Sequence, residues 1–309
     1  MDKWDLIIVG AGPAGLTAGI YGARNGLKVL ILDGKQAGGT LTLIPQIENY
    51  PGFPDGISGE ELAKRIIDQC KRFNVEIHEF ENVVEIKIRD EDKIVKTDKA
   101  EYSAKAIIIA SGSKHKRLGV PGEKEFEGRG VSYCALCDGP FFKGLRVLVV
   151  GGGNTAVMSA IYLADLASKV YLAHRRRQLR AEEIYVKELK RKGVEVLWNT
   201  EVKEVRGGSK VEKVVLYNNE SRKKRELTVD GVFIFIGEEP NSDFAKKSGV
   251  KVDGKGYIIV DALQRTNIEG IYAAGDVTSY PIKQIGTAIG QAIAAATEAY
   301  KYVRKPYYA

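Results

Sequence analysis

The chain has 309 residues, enough for two domains with a core each. Its 47 lysines and arginines exceed 40 acidic residues by +7, but the signs are interleaved and no aromatic-basic platform stands out, which argues for a solvated surface and against nucleic acid. Three cysteines, no signal-like N-terminus and apolar runs no longer than Ala106-Ile-Ile-Ile-Ala110 predict a cytoplasmic protein with no membrane partner.

Asp5-Leu-Ile-Ile-Val9 reads as a short buried strand that runs into Gly10-Ala-Gly12-Pro13-Ala14-Gly15 and a small-residue helix from near Leu16. In such a loop the first glycine makes a tight turn and the second lets the backbone approach a pyrophosphate. The third lets helix and strand pack closely, so that the helix N-terminus faces the phosphates. The next strand, Lys28-Val-Leu-Ile-Leu32, ends at Asp33, 23 residues after Gly10. A carboxylate there accepts hydrogen bonds from the ribose diol of an adenosine, so this first site suits FAD.

Residues 1–114 form the first nucleotide unit, closing with strand Ala106–Ala110 and the turn Ser111-Gly112-Ser113. Residues 115–240 are expected to form a second domain inserted into the first, which resumes over 241–309. The insert carries Cys134-Ala-Leu-Cys137-Asp138. Two cysteines two residues apart can close a small, readily exchanged disulfide, and the adjacent carboxyl can carry the proton that thiol exchange needs. Half a zinc site is the competing reading, but it lacks a second ligand pair: only Cys70 and three scattered histidines remain, so no metal is expected.

Strand Arg146-Val-Leu-Val-Val150 then repeats the first pattern into Gly151-Gly-Gly153-Asn154-Thr155-Ala156. Through Val170-Tyr-Leu-Ala173 the chain reaches His174-Arg175-Arg176-Arg177, with Arg180 beyond; His174 lies the same 23 residues past Gly151 as Asp33 lies past Gly10. A cationic cluster at that position attracts a 2′-phosphate, so the second site suits NADPH. A solvated helix start is the bland reading of the same arginines. A polar hairpin around 218–224 follows, then strand Val232–Ile236 and the Gly/Pro-marked return crossing Gly237–Asn241. The crossings near 114–118 and 237–241 form a double hinge. In the last segment Ile285, Ile289, Ala292, Ile293, Ala296, Tyr300 and Val303 recur at helical spacing, a stripe expected to face a core.

These motifs together make the sequence resemble, end to end, the low-molecular-weight, prokaryotic-type thioredoxin reductases. The carrying residues are Gly10 to Gly15, Cys134-Ala-Leu-Cys137-Asp138, Gly151 to Ala156, His174-Arg-Arg with Arg180, and Gly275-Asp276-Val277. The resemblance implies an α/β fold of two Rossmann-like domains, the NADPH domain inserted into the FAD domain. It implies that Asp276 meets the flavin ribityl chain and that Gly39-Thr40-Leu41, Asn49, Ser111-Gly112 and Lys283-Gln284 belong to the flavin site. It further implies that Cys137 is the flavin-proximal sulfur, Cys134 attacks the partner, Asp138 moves the proton, and the inserted domain rotates on its hinges. A thioredoxin or glutaredoxin-like protein disulfide is the implied substrate, and a homodimer the implied assembly. Asp33 stands where a glutamate is commoner, Thr40 where a glutamine is, Lys283 where an arginine is, and Met158-Ser159 where many relatives carry two glutamates.

Two other readings of function remain at this point. A relative fed by ferredoxin or a reduced flavin would have no need of Arg175, Arg176 and Arg180. A non-catalytic redox sensor would bind flavin without multiple-turnover NADPH oxidation. Glutathione-reductase-type relatives carry their cysteines soon after the first glycine loop, where Gly38 to Leu41 has none, and they have a longer C-terminal domain.

Overall fold

The computed structural model describes residues 2–44, 46–89 and 92–305. In chain order the first elements are β1 (Asp2–Val9), α1 (Pro13–Arg24), β2 (Val29–Leu32), α2 (Gly59–Arg72), β3 (Glu76–His78), β4 (Val83–Arg89), β5 (Asp92–Thr97) and β6 (Glu101–Ile109). A crossing strand β7 (Ser113–His115) leads to β8 (Val131–Ser132), α3 (Ala135–Asp138), β9 (Arg146–Gly151), α4 (Asn154–Ala164), β10 (Lys169–Ala173), α5 (Glu183–Arg191) and β11 (Glu195–Leu197). The hairpin strands β12 (Thr200–Gly207), β13 (Val211–Asn218) and β14 (Lys224–Thr228) precede β15 (Gly231–Phe235), and β16 (Glu238–Pro240) pairs with β7. The chain then returns through α6 (Asp243–Lys247), β17 (Ile271–Ala273) and α7 (Ile285–Arg304). It divides into two compact units, Met1–Lys114 with Glu239–Ala309, and His115–Glu238.

In the discontinuous unit the sheet order is β3-β2-β1-β6-β5-β4. Strands β1, β2, β3 and β6 run parallel, while β6 forks at one edge: its first half pairs β5 antiparallel and its last residues pair β17 in parallel. The continuous apolar run of β1 follows from burial on both faces. Leu6 and Ile8 join the core under α1 and α7, whereas Ile7 and Val9 point to the opposite face. Helix α1 begins at Pro13 inside the glycine motif, earlier than the expected Leu16, because proline's fixed φ suits the first helical position and it has no N–H to leave unpaired.

The stripe expected on α7 holds in part: Ala292 and Ala296 are fully buried, and Tyr300 and Val303 pack against the same core. The fully buried face is built from Ala288, Ala292, Ala295, Ala296 and Ala299, and Ile285, Ile289 and Ile293 sit on its half-buried flank. The reason is the neighbour: α1 turns Ala14 and Ala18 into the core it shares with α7, while Gly15, Gly19 and Gly22 lie toward the sheet, their Cβ positions meeting Gly10 O, Ile31 and Leu6, and two small-residue faces approach closely only when both lack bulk.

The inserted unit is a parallel sheet of order β11-β10-β9-β15-β8, with α4 and α5 against one face through Val147, Val149 and Leu172. Leu148 and Val150 turn to the other face, where the antiparallel β12-β13-β14 layer covers them. In both units β1 and β9 therefore lie inside a parallel sheet, and the loops after them open at the carboxyl edge, where such folds take ligands. Among the described residues no helix is long and apolar enough to cross a membrane.

Candidate functional site

The first glycine loop is shaped by what a side chain would strike. At Gly10, where φ is +107°, a Cβ would lie 2.3 Å from the Ala110 carbonyl oxygen of the neighbouring strand, and at Gly15 it would lie 1.8 Å from Gly10 O. Above Gly12 there is nothing within 4 Å. The turn is thus closed beneath and open where a pyrophosphate would approach, with the start of α1 behind it. Gly39 closes one side, its Cβ position 3.0 Å from Gly12 Cα, and Gly38 N donates to Ala11 O. Leu41 beside it is core, 1 % exposed, while Thr40 is exposed.

Asp33 ends β2 as expected, and its carboxylate also holds the loop. Oδ2 accepts from Ala11 N at 2.6 Å and Oδ1 from Lys35 N at 2.8 Å. Burial raises its pKa above the ordinary carboxylate value, against the lowering effect of those two backbone bonds and of Lys35. Each oxygen keeps a further lone pair for a ribose hydroxyl.

Residues scattered through the sequence converge on the same unit. Gly275 packs its backbone on α1, a Cβ there lying 2.9 Å from Ala14 Cβ, and its N–H donates to buried Gln291 Oε1 at 2.7 Å. Asp276 follows in a single 3₁₀ turn. Asn49 Nδ2 donates to Gln284 Oε1 at 3.2 Å across 235 positions, and Gln284 is the N-cap of α7 through its box with Thr287. Lys283 turns its ammonium to the Thr278 carbonyl and over the Tyr257 ring, 4.4 Å from the centroid. Ser111 Oγ donates to Asn241 O while Asn241 Nδ2 donates to Ser111 O, fastening the outgoing chain to the returning one beside Gly112.

In the inserted unit the second loop repeats the pattern. A Cβ at Gly151 would lie 2.3 Å from Phe235 O, and above Gly153 there is again nothing within 4 Å. Ala156, fully buried, replaces the third glycine, and Thr155 is exposed. His174 is 5 % exposed: Nδ1 lies 2.9 Å from Gly151 O and Nε2 2.9 Å from Gln178 O, and the ring fills the place where a Gly152 Cβ would be. Arg175, Arg176, Arg177 and Arg180 are exposed, and only Arg177 is ion-paired among the described residues, to Glu220. Asn154, expected in the cofactor site, is engaged by Glu182. Its Nδ2 donates to Glu182 Oε1 at 2.6 Å, and Glu182 N donates back to its Oδ1 at 2.8 Å.

Cys134 and Cys137 form a disulfide with a Cα–Cα distance of 5.4 Å. Cys134 caps the single turn α3, and Cys137 N donates to Cys134 Sγ at 3.1 Å, a contact that favours a thiolate on Cys134 after reduction. Asp138 closes that turn, its N–H donating to Cys134 O. Sequence reasoning missed the supports of this segment. Ser132 Oγ accepts from Cys134 N and donates to Cys134 O, and Tyr133 donates to Glu123 Oε1 at 2.8 Å. Burial and that carboxylate push the Tyr133 phenol above its ordinary range. Glu123, 3 % exposed, also accepts from the N–H groups of Leu118 and Gly119, so the strand before the cysteines is tied to the incoming crossing. No periodic signal marks these partners. Cys70 is buried, free and pushed up to about 12 by burial, which makes it inert.

With this geometry in place, likeness to known proteins is informative. Residues 4–299 match the sequence pattern of the family described as pyridine nucleotide-disulphide oxidoreductase. The chain is 42 % identical over 304 residues to a thioredoxin reductase of Bacillus subtilis, covering 98 % of this chain and 95 % of that one. Among solved structures, a Lactococcus lactis thioredoxin reductase superposes with a TM-score of 0.95 at 40 % identity, covering 98 % of this chain and 100 % of that one. A T. acidophilum thioredoxin reductase gives 0.93 at 41 %, covering 97 % and 99 %.

Proposed function

The chain belongs to the pyridine nucleotide-disulphide oxidoreductase family, and from that membership we propose how its own residues divide the work of a thioredoxin reductase. The protein is an NADPH-dependent flavoprotein that reduces a thioredoxin disulfide. The observation that carries the proposal is the Cys134–Cys137 disulfide within the same unit as an open glycine loop flanked by the exposed Arg175, Arg176 and Arg180, which form no ion pair among the described residues. When bound, NADPH supplies a hydride and FAD relays its two electrons to the disulfide.

Residues 1–114 and 241–309 hold FAD. Gly10, Gly12, Pro13, Ala14 and Gly15 present the start of α1 to its pyrophosphate, and Asp33 accepts from the adenosine ribose. Asp276, Asn49, Lys283, Gln284, Ser111, Gly112 and the 39–41 turn line the remainder. Residues 115–240 hold NADPH, with Gly151, Gly153, Thr155 and Ala156 at the pyrophosphate and Arg175, Arg176 and Arg180 on the 2′-phosphate. His174 supports that loop from beneath.

In the dithiol state the Cys134 thiolate attacks one sulfur of the partner's disulfide, forming a mixed disulfide and releasing one partner thiolate. Cys137 then attacks Cys134 Sγ, which re-forms the internal disulfide and releases the second partner thiolate. Asp138 carries a proton between Cys137 and the released sulfur. Thioredoxin is the partner, with a glutaredoxin-like protein as a second acceptor. A cytoplasmic homodimer completes the proposal.

The test is an anaerobic titration of the purified yellow protein with NADPH, then with oxidised thioredoxin and a glutaredoxin-like protein. Bleaching by two equivalents of NADPH, one for the disulfide and one for the flavin, and return of colour on adding thioredoxin are expected. Protein that stays colourless after reconstitution with FAD, or that bleaches only with a reduced ferredoxin, would end this reading.

A further inference from the structure

We infer that the reciprocal Asn154–Glu182 clasp fixes the arginine-bearing segment at the distance the nucleotide requires, making Glu182 a positioning residue for selection of NADPH over NADH. The inference rests on reading His115–Glu238 as the NADPH unit. Segment 174–182 is irregular, so no helix or strand fixes its path. Three anchors on the glycine loop hold it on one side, while on the other Asn199 N donates to Arg176 O at 3.3 Å and Asn219 Nδ2 to Arg175 O at 3.4 Å. His174 Nδ1 meets Gly151 O at 2.9 Å, Arg180 N donates to Gly152 O at 2.7 Å, and Asn154 and Glu182 exchange two hydrogen bonds.

These anchors run from Gly151, Gly152 and Asn154 of the loop to His174, Arg180 and Glu182, which span the segment that carries Arg175, Arg176 and Arg180. They couple the pyrophosphate cradle, whose Gly153 is open above, to the cations meant for the 2′-phosphate. A ligand with both phosphate groups benefits from that fixed spacing. One with the pyrophosphate alone does not. Glu182 is exposed and is the residue before α5, so its removal leaves both cores untouched. Both ends of the Asn154 amide are engaged by Glu182, so the asparagine acts on the nucleotide through this partner.

The experiment titrates oxidised holoprotein with NADP⁺ and with NAD⁺ by calorimetry, for the parent and for Glu182→Ala, Glu182→Gln, Asn154→Ala and the double alanine variant. Glu182→Ala should lose roughly tenfold in NADP⁺ affinity and less than about twofold for NAD⁺. Glu182→Gln, whose amide oxygen still accepts from Asn154, should stay close to the parent. The double variant should be no weaker than Asn154→Ala alone. In turnover the NADPH KM should rise while kcat is kept.

An equal loss for both nucleotides would show a general prop for the loop and overturn the inference. Tighter NADP⁺ binding by both Glu182 variants would do the same, revealing a like charge beside the phosphates. Unchanged affinity would overturn it too. A parent that does not prefer NADP⁺ would instead refute the reading of this unit as the NADPH site, and the clasp's role would fall with it.

Discussion

The two glycine loops share a backbone and differ in what braces them. In each, the first glycine lies under the carbonyl of a neighbouring parallel strand, Ala110 for Gly10 and Phe235 for Gly151, at the same 2.3 Å from a Cβ position. In each, the middle glycine is open. The residue 23 positions on turns back to the loop in both, with opposite polarity. Asp33 is a carboxylate accepting from the Ala11 N–H, and His174 is an imidazole facing the Gly151 carbonyl. An acid kept at the first loop leaves lone pairs for ribose hydroxyls. A ring tucked under the second leaves the surface to cations. On the proposed assignment, one substitution of brace and the charges beside it would separate the two dinucleotides.

The widest break in the symmetry is the cysteine pair, which only the inserted unit carries. Cys134→Ser or Cys137→Ser should lower disulfide reductase turnover more than about a thousandfold, since the exchange needs both sulfurs. FAD content and NADP⁺ affinity should not change, because neither cradle uses a sulfur. Cys137→Ser should also trap a mixed disulfide with thioredoxin, resolvable on a non-reducing gel; trapping by Cys134→Ser instead would reverse the role assignment. Full turnover in the double serine variant would refute the dithiol mechanism.

Next in size are paired alanines at the first glycines. Gly10→Ala forces a Cβ into Ala110 O and Gly151→Ala one into Phe235 O. Each also strains a backbone better suited to glycine, together on the order of 1–3 kcal/mol. The expected outcome is selective. Gly10→Ala should purify with little FAD, and Gly151→Ala should stay yellow but require far more NADPH. Loss of flavin by the second variant would show that the two cradles are not independent. Gly12→Val should act like Gly10→Ala on flavin content alone, since its side chain enters open space in the absence of ligand.

A smaller effect tests the charges. Replacing Arg175, Arg176 and Arg180 by Ala should raise the NADPH KM and leave that for NADH nearly constant, with each lost charge-assisted contact contributing on the order of 1.5–3 kcal/mol. Equal use of both donors by the parent would show the cluster is only a solvated surface, and Met158-Ser159 would be the next place to look.

The smallest effect concerns pH at Asp33. Its pKa in the folded protein is raised, chiefly by burial, so the apoprotein holds that proton more tightly than the unfolded chain does. Its contribution to stability is therefore complete below the ordinary value of 3.8 and is lost as pH rises through the raised value. The melting temperature of the apoprotein relative to Asp33→Ala should fall over that range. FAD should tighten over the same range as the ionised oxygens become available to the ribose. A difference that does not vary with pH would show that the carboxyl titrates normally.

The sequence by itself determined the repeated strand, glycine loop and helix, the acid and arginines 23 and more residues beyond each loop, and the cysteine pair in the insert. These are short-range patterns, fixed by turn sterics and by two-faced burial within a few dozen residues. Only the tertiary structure decided which side chains meet. Asn49 finds Gln284, Ser111 finds Asn241, Glu123 reaches Tyr133 and Asn154 is held by Glu182. It also left Ile285, Ile289 and Ile293 of the expected α7 stripe half-buried while Ala292 and Ala296 went fully inside, because the depth available to a helix is set by the residues opposite it, here Ala14 and Ala18 of α1. Such pairings depend on where the chain returns, and a hydrogen-bond partner leaves no period in the sequence from which it can be read.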